Sequence, residues 1–252
     1  MAKKFWGFLV QLVMILSLVT TGFITPASAE TVPYADIGVL TSFTEVGGDG
    51  DQPLNSNSLF VQIVDDRRLA DMCVFNFIPS VSGDYSNSTA INQALEAERY
   101  TKLGYGKTCV AAYSHGGQSI YFMDMTVVDE LFLIDATSKI QKVCDNPDTV
   151  GTTWADWIIA VAANGTNVHI YATNDSRDIS TGSRNAISNI ERYASNNSYR
   201  AMKGVVLQKV GEGSYVVSCN GKVGTIECVF LGGTHEQACV NAARYIFPVV
   251  GT

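Results

Sequence analysis

Histidine is scarce in this 252-residue chain: three copies, His115, His169 and His235. They do not cluster, and the six cysteines include no C-x-x-C, so the usual spacing signatures of a zinc site are missing. Basic residues are outnumbered by acidic ones, 17 to 24, for a net charge of −7. Such a balance gives no electrostatic pull on nucleic acid or anionic lipid headgroups. No proline-rich or Ser/Gly-rich linker divides the chain and no internal repeat is visible. One domain with a full core is therefore expected.

A long apolar stretch is missing everywhere except near the start. Lys3 and Lys4 precede an apolar run from Phe8 to Val19, interrupted by Gln11, and then come Pro26 and Ala27-Ser28-Ala29. A basic head, an apolar middle shorter than the roughly 20 residues of a spanning helix, and an A-x-A end predict a secretory signal peptide over residues 1–29. Cleavage after Ala29 leaves a domain of 223 residues, 30–252. The leader holds two of the basic residues and no acidic ones, so the remainder carries −9. No cysteine follows the apolar run at the cleavage point, so a lipoprotein is not indicated. The expected location is secreted, periplasmic or cell-envelope, with no membrane span once the leader is removed.

Outside the cytosol an even cysteine count permits disulfides. Cys73 and Cys109 lie in apolar strand-like runs that suit buried thiols. Cys144, Cys219, Cys228 and Cys239 lie in or beside loops and are the better candidates for pairing.

What is present in quantity is short apolar runs alternating with helical stretches. That pattern predicts an α/β fold, a mainly parallel central sheet with helices on both faces. Strands are expected at 37–43, 59–64, 72–78, 108–113, 131–134, 168–171, 202–207, 215–218 and 225–231, with a hairpin turn at Asn220-Gly221. Helices are expected from Ser88 or Thr89 to Leu103, directly after Ser114, and over 154–163, 183–194 and 236–247.

The run Thr108-Cys109-Val110-Ala111-Ala112-Tyr113 ends at Ser114, with His115-Gly116-Gly117 following. A serine between a strand and a helix, with small residues two before (Ala112) and two after (Gly116), has the form of a nucleophile elbow. The tight turn projects the hydroxyl from the sheet edge and aims the next backbone N–H where an oxyanion forms. A serine hydroxyl needs a base. His115 adjoins the serine, and in an elbow its side chain points away. His169 falls inside a strand. His235 follows the last strand, in Leu231-Gly232-Gly233-Thr234-His235, at a carboxyl end where chemistry gathers in α/β sheets. The base also needs an orienting carboxylate. Asp175 and Asp178 both follow the strand 168–171, and Asp175 is preferred because it lies nearer the strand end.

The order Ser114, Asp175, His235, each after a successive strand, resembles the α/β-hydrolase family of esterases, lipases and peptidases. Ala112 stands where the family's G-x-S-x-G begins, similar to the A-x-S-x-G elbow of some small bacterial lipases. Ala172-Thr173-Asn174-Asp175 resembles the family's G-x-x-D run, with alanine for glycine. The resemblance covers most of 59–247 and is carried mainly by 109–117. It implies an exported serine hydrolase acting on a small-molecule or acyl ester, thioester or amide without a cofactor. Ser114 would be the nucleophile, His235 the base, Asp175 its orienting acid, and the His115 N–H one half of the oxyanion hole. The family's usual His-Gly after its third strand is missing, since Asp65-Asp66-Arg67-Arg68 follows the strand 59–64. The second donor is then Val64 or Asp65, or lies in the loop 79–85. A distorted hole would favour the alternative, a secreted binding or surface protein on the same fold.

Overall fold

A computed structural model describes residues 40–48, 58–65, 72–79, 86–137, 153–174, 182–196, 199 and 202–251. The expected leader, Cys144, Asp175 and Asp178 lie outside the described residues.

Eight strands form one sheet: β1 (Thr41–Val46), β2 (Cys73–Ile78), β3 (Lys107–Tyr113), β4 (Glu130–Ile134), β5 (Asn167–Ala172), β6 (Val206–Gly211), β7 (Ser214–Cys219) and β8 (Lys222–Phe230). Their spatial order is β2-β1-β3-β4-β5-β8-β7-β6. Every neighbouring pair from β2 across to β8 is parallel, and β7 and β6 are added antiparallel. The described helices are α1 (Leu59–Asp65), α2 (Asn87–Thr101), α3 (Gly116–Ile120), α4 (Trp154–Ala163), α5 (Ser183–Ser195) and α6 (Ala238–Val250). The fold is therefore α/β with a mostly parallel mixed sheet.

Local chemistry explains the boundaries. Ser86 caps α2 by accepting from the Thr89 N–H at 3.3 Å. Thr153 and Asp156 form a reciprocal capping box at the start of α4. Asn220 and Gly221 both take positive φ, 50° and 83°, and close the tight β7–β8 turn. Alternate residues of the central strands feed two cores. Val110, Ala112, Leu131, Leu133, Val168 and Ile170 face one side, with α4 and α5 residues such as Ile158 and Ile187. Cys109, Ala111, Phe132, Ile134 and Tyr171 face the other, with Leu59 of α1 and Ala242 and Ile246 of α6. A parallel sheet needs such cover on both faces because its strands are apolar on both.

Three expectations are corrected. The run 59–64, read as a strand, is the helix α1. Its Leu59 and Ile63, four apart, are buried, and the Ser58 hydroxyl accepts from the Val61 N–H at 3.3 Å, which starts a helical turn. Asp65 thus ends a helix and not a strand. The first strand lies at Thr41–Val46 rather than 37–43, and the strand expected from Met202 begins at Val206, after a turn. Cys219 and Cys228, two of the four cysteines expected as candidates for pairing, are free thiols. Cys219 sits opposite Lys222 at the turn, whereas Cys228 lies beyond the Ser214–Glu227 pair at the far end of the ladder, about 20 Å away along the strand. No helix among the described residues is long and apolar enough to cross a membrane.

Candidate active site

The order in which strands are added reverses at β1: β2 lies on one side of it, and β3 returns on the other. In open α/β sheets that switch point opens a crevice at the carboxyl ends of the strands. Ser114 stands there, one residue past β3, with φ of +51°. A non-glycine residue at positive φ is strained. The surroundings hold it: its N–H donates to Ile134 O at 3.3 Å, and its carbonyl accepts from Thr137 N at 2.8 Å and Gly117 N at 3.2 Å. The two glycines after it are required sterically. A Cβ on Gly116 would lie 2.2 Å from Val46 O, and one on Gly117 would lie 2.6 Å from Thr137 O. The elbow is thus wedged against the end of β1 on one side and the segment leaving β4 on the other.

His235 reaches the serine from the far side of β5. Leu231 N donates to Ala172 O at 2.7 Å, extending the β8 ladder by one rung. Gly232 and Gly233 then turn the chain, with Gly233 at φ +95°, and Asn241 Nδ2 holds Gly232 O at 2.6 Å. His235 opens a 3-10 turn, His235–Gln237, that leads into α6. Its Nε2 lies 2.9 Å from Ser114 Oγ.

The carboxylate on its other nitrogen is Asp135, with Oδ2 2.7 Å from Nδ1. The acid had been expected at Asp175, which lies outside the described residues; the position on Nδ1 is filled by Asp135. Asp135 follows β4, the strand beside β3, and is itself at φ +45°. Its N–H donates to Tyr171 O at 2.7 Å. Thr173 donates to it twice, from the backbone N–H to Oδ1 at 3.2 Å and from Oγ1 to Oδ2 at 2.5 Å. With a carboxylate accepting at Nδ1, that nitrogen carries the imidazole proton and Nε2 presents a lone pair to the Ser114 hydroxyl.

Tyr113, the residue before the serine, completes the arrangement. Its hydroxyl donates to His235 O at 2.9 Å, and its ring stacks on the imidazole with centroids 4.9 Å apart. Asp135, Thr173 and Tyr113 were not singled out from the sequence. Asp135 carried a readable signal, an aspartate directly after the apolar run 131–134.

The other sequence candidates fall elsewhere. His169 packs in the sheet, its Nε2 2.8 Å from Glu130 Oε2 and its ring stacked on Phe132. His115 is the residue at the start of α3, beside the serine. Asp65, at the end of α1, does not follow a strand that flanks the elbow; the strand that does is β1, which continues into Gly47-Gly48. Three of the described cysteines, Cys73, Cys109 and Cys228, make poor rival nucleophiles. Burial pushes the Cys73 thiol up to about 11, that of Cys228 up to about 12 and that of Cys109 higher still, far from the thiolate form. Among the described residues, no three His, Cys, Asp or Glu side chains converge in a way that could hold a metal ion.

No family model matches this sequence, and no curated protein matches it.

Proposed function

We propose that this chain is an exported serine hydrolase of the α/β-hydrolase type, cleaving an ester, thioester or amide through an acyl-enzyme. The observation that carries the reading is the continuous hydrogen-bonded series Ser114 Oγ, His235 Nε2, His235 Nδ1, Asp135 Oδ2, with links of 2.9 and 2.7 Å. Ser114 Oγ attacks the carbonyl carbon while its proton passes to His235 Nε2. Asp135 stabilises the imidazolium and fixes its tautomer. The tetrahedral intermediate collapses as the C–leaving-group bond breaks, and the imidazolium returns the proton to the leaving group. Water then repeats the sequence to release the acid.

The oxyanion is held by the His115 N–H, and the end of β1 at Gly47-Gly48 lies on the side of the elbow from which a second N–H would come. Gly47 does not serve, because its N–H already donates to Ile78 O at 3.0 Å. Of the expected second donors, Val64 and Asp65 lie at the end of the helix α1, and most of the loop 79–85 lies outside the described residues. Each such donor is worth about 10² to 10³ in rate.

The test is labelling by a fluorophosphonate probe alongside turnover of p-nitrophenyl esters. Wild-type protein should label and turn over, and Ser114→Ala should do neither. Wild-type protein that neither labels nor turns over any ester, thioester or amide in a broad panel would return the chain to the class of binding proteins on this fold.

A further inference from the structure

The residue preceding the serine has no part in the reaction as written above, yet it makes two separate contacts with the histidine. Tyr113 is the last residue of β3, and its side chain emerges on the sheet face that α6 covers. Its ring lies against the imidazole at 4.9 Å and 24°, and its hydroxyl reaches the main-chain carbonyl of the same residue at 2.9 Å. One side chain therefore grips both the plane of the His235 ring and the backbone that carries it.

His235 needs such a grip. It follows Gly232 and Gly233, two residues with wide conformational freedom. Asp135 holds the imidazole by a single edge, at Nδ1. A ring held at one edge can still tilt about that bond and carry Nε2 off the serine. A flat partner on its face removes that freedom. The consecutive placement of Tyr113 and Ser114 adds a second consequence. The nucleophile and the backing of its base ride on one dipeptide at the end of one strand, so a shift of β3 moves both together. The electron-rich face of the phenol also attracts the positive charge that develops on the imidazole during proton transfer.

We infer that Tyr113 is a positioning residue for His235, holding its ring plane and main chain so that Nε2 stays on Ser114 during both proton transfers. The inference rests on the reading of Ser114 and His235 as nucleophile and base. Tyr113 touches neither the substrate carbonyl nor the travelling proton; it acts through the histidine. Its removal should therefore lower kcat and leave KM near its original value.

The experiment compares Tyr113→Phe and Tyr113→Leu with the parent chain. Three quantities are read: kcat and KM on a short p-nitrophenyl ester, the second-order rate of fluorophosphonate labelling, and the melting temperature. Phenylalanine keeps the stack and loses one hydrogen bond, so kcat should fall about 2- to 10-fold. Leucine loses the aromatic face as well, so kcat should fall by about a further 2- to 30-fold. Labelling rates should fall in step with kcat, with KM within about twofold. Equal kcat in all three proteins overturns the inference, as does a loss confined to KM. Should Tyr113→Leu melt below the assay temperature, Tyr113→Phe decides alone: an unchanged kcat overturns the inference. A parent chain that neither labels nor turns over ester overturns the hydrolase reading itself, and the inference with it. A parent that labels, with variants labelling equally fast, overturns only the role of Tyr113.

Discussion

Two histidine–carboxylate pairs among the described residues have nearly the same form. His235 meets Asp135 at 2.7 Å and stacks on Tyr113; His169 meets Glu130 at 2.8 Å and stacks on Phe132. Both ring stacks have centroids 4.9 Å apart. The pairs sit at opposite ends of the same strands. Asp135 follows the carboxyl end of β4, and Glu130 begins it. The difference is in the second nitrogen and in the backbone. His235 turns Nε2 to a serine hydroxyl, whereas His169 spends Nε2 on its carboxylate and makes no hydrogen bond to a hydroxyl among the described residues. Ser114 and Asp135 are both at positive φ, while Glu130 and His169 lie in regular strand. A half-buried imidazole with a carboxylate is thus not in itself a reactive group. On the proposed reading it becomes one where turns at positive φ aim a serine at the remaining lone pair.

If the proposed hydrolase reading holds, the largest effect that separates the pairs is loss of the nucleophile or base. Ser114→Ala and His235→Ala should each lower kcat by about 10⁶, because such groups act as a unit and their losses do not add. His169→Gln should leave the rate of folded protein within about twofold, since rate follows the elbow and not the pair. An ester hydrolysis assay on the three variants reads this directly. A His169 variant as inactive as the His235 variant would erase the distinction.

Next in size is the acid. Asp135→Asn keeps the shape but makes the partner a poor support for the imidazolium, and a loss of about 10⁴ in kcat is expected. Asp175→Asn should be silent. The reverse result would restore the assignment made from sequence. Sequence alone could not decide between Asp135 and Asp175, for a physical reason. Both aspartates follow an apolar strand, so local pattern cannot choose between them. The choice depends on which strand lies beside β3, about 4.8 Å away, and sheet order is a long-range property that no window of sequence carries.

Other features divide along the same line. The strands of the sheet centre were legible because runs such as Leu131-Phe132-Leu133-Ile134 are apolar on both faces. The elbow was legible because sterics demand small residues at fixed offsets. β1 was misplaced because Thr41, Ser42, Thr44 and Glu45 are polar yet buried, so hydropathy hides the strand that flanks the serine. The helix α1 was misread because Leu-Phe-Val-Gln-Ile-Val fits both periods over six residues.

A third prediction attacks the backbone half of the comparison. Gly116→Ala would set a methyl 2.2 Å from Val46 O, a rigid backbone atom. The elbow must move, and with it both Ser114 and the end of β1. Overpacking of this kind costs about 1–3 kcal/mol. A displacement near 1 Å in the reacting geometry costs about 10² in rate. Thermal melting and ester turnover should therefore both suffer. A variant that melts like the parent and turns over at full rate would mean that the strained turn is not what aims the serine.

The smallest effect belongs to the second pair and concerns stability only. Glu130 is nearly buried, with His169 Nε2 at 2.8 Å, Asn167 Nδ2 at 3.3 Å and Lys107 Nζ at 3.6 Å. Burial pushes its carboxyl up, but the hydrogen bonds and positive charge of those partners outweigh it and hold the group below the usual carboxylate range. A carboxyl whose folded value is depressed adds stability that is complete above its unfolded value, about 4.3, and disappears as pH falls through the folded one. Glu130→Gln should therefore cost about 1.5–3 kcal/mol near neutrality, the worth of a hydrogen bond to a charged group. The deficit should shrink steadily as the medium is made more acidic. Denaturant melts of parent and variant across that range measure it. A deficit that stays constant down to the lowest pH at which both fold would assign the loss to packing rather than to charge. Ester turnover by the folded variant should match the parent throughout, because this carboxylate holds a histidine that faces no nucleophile.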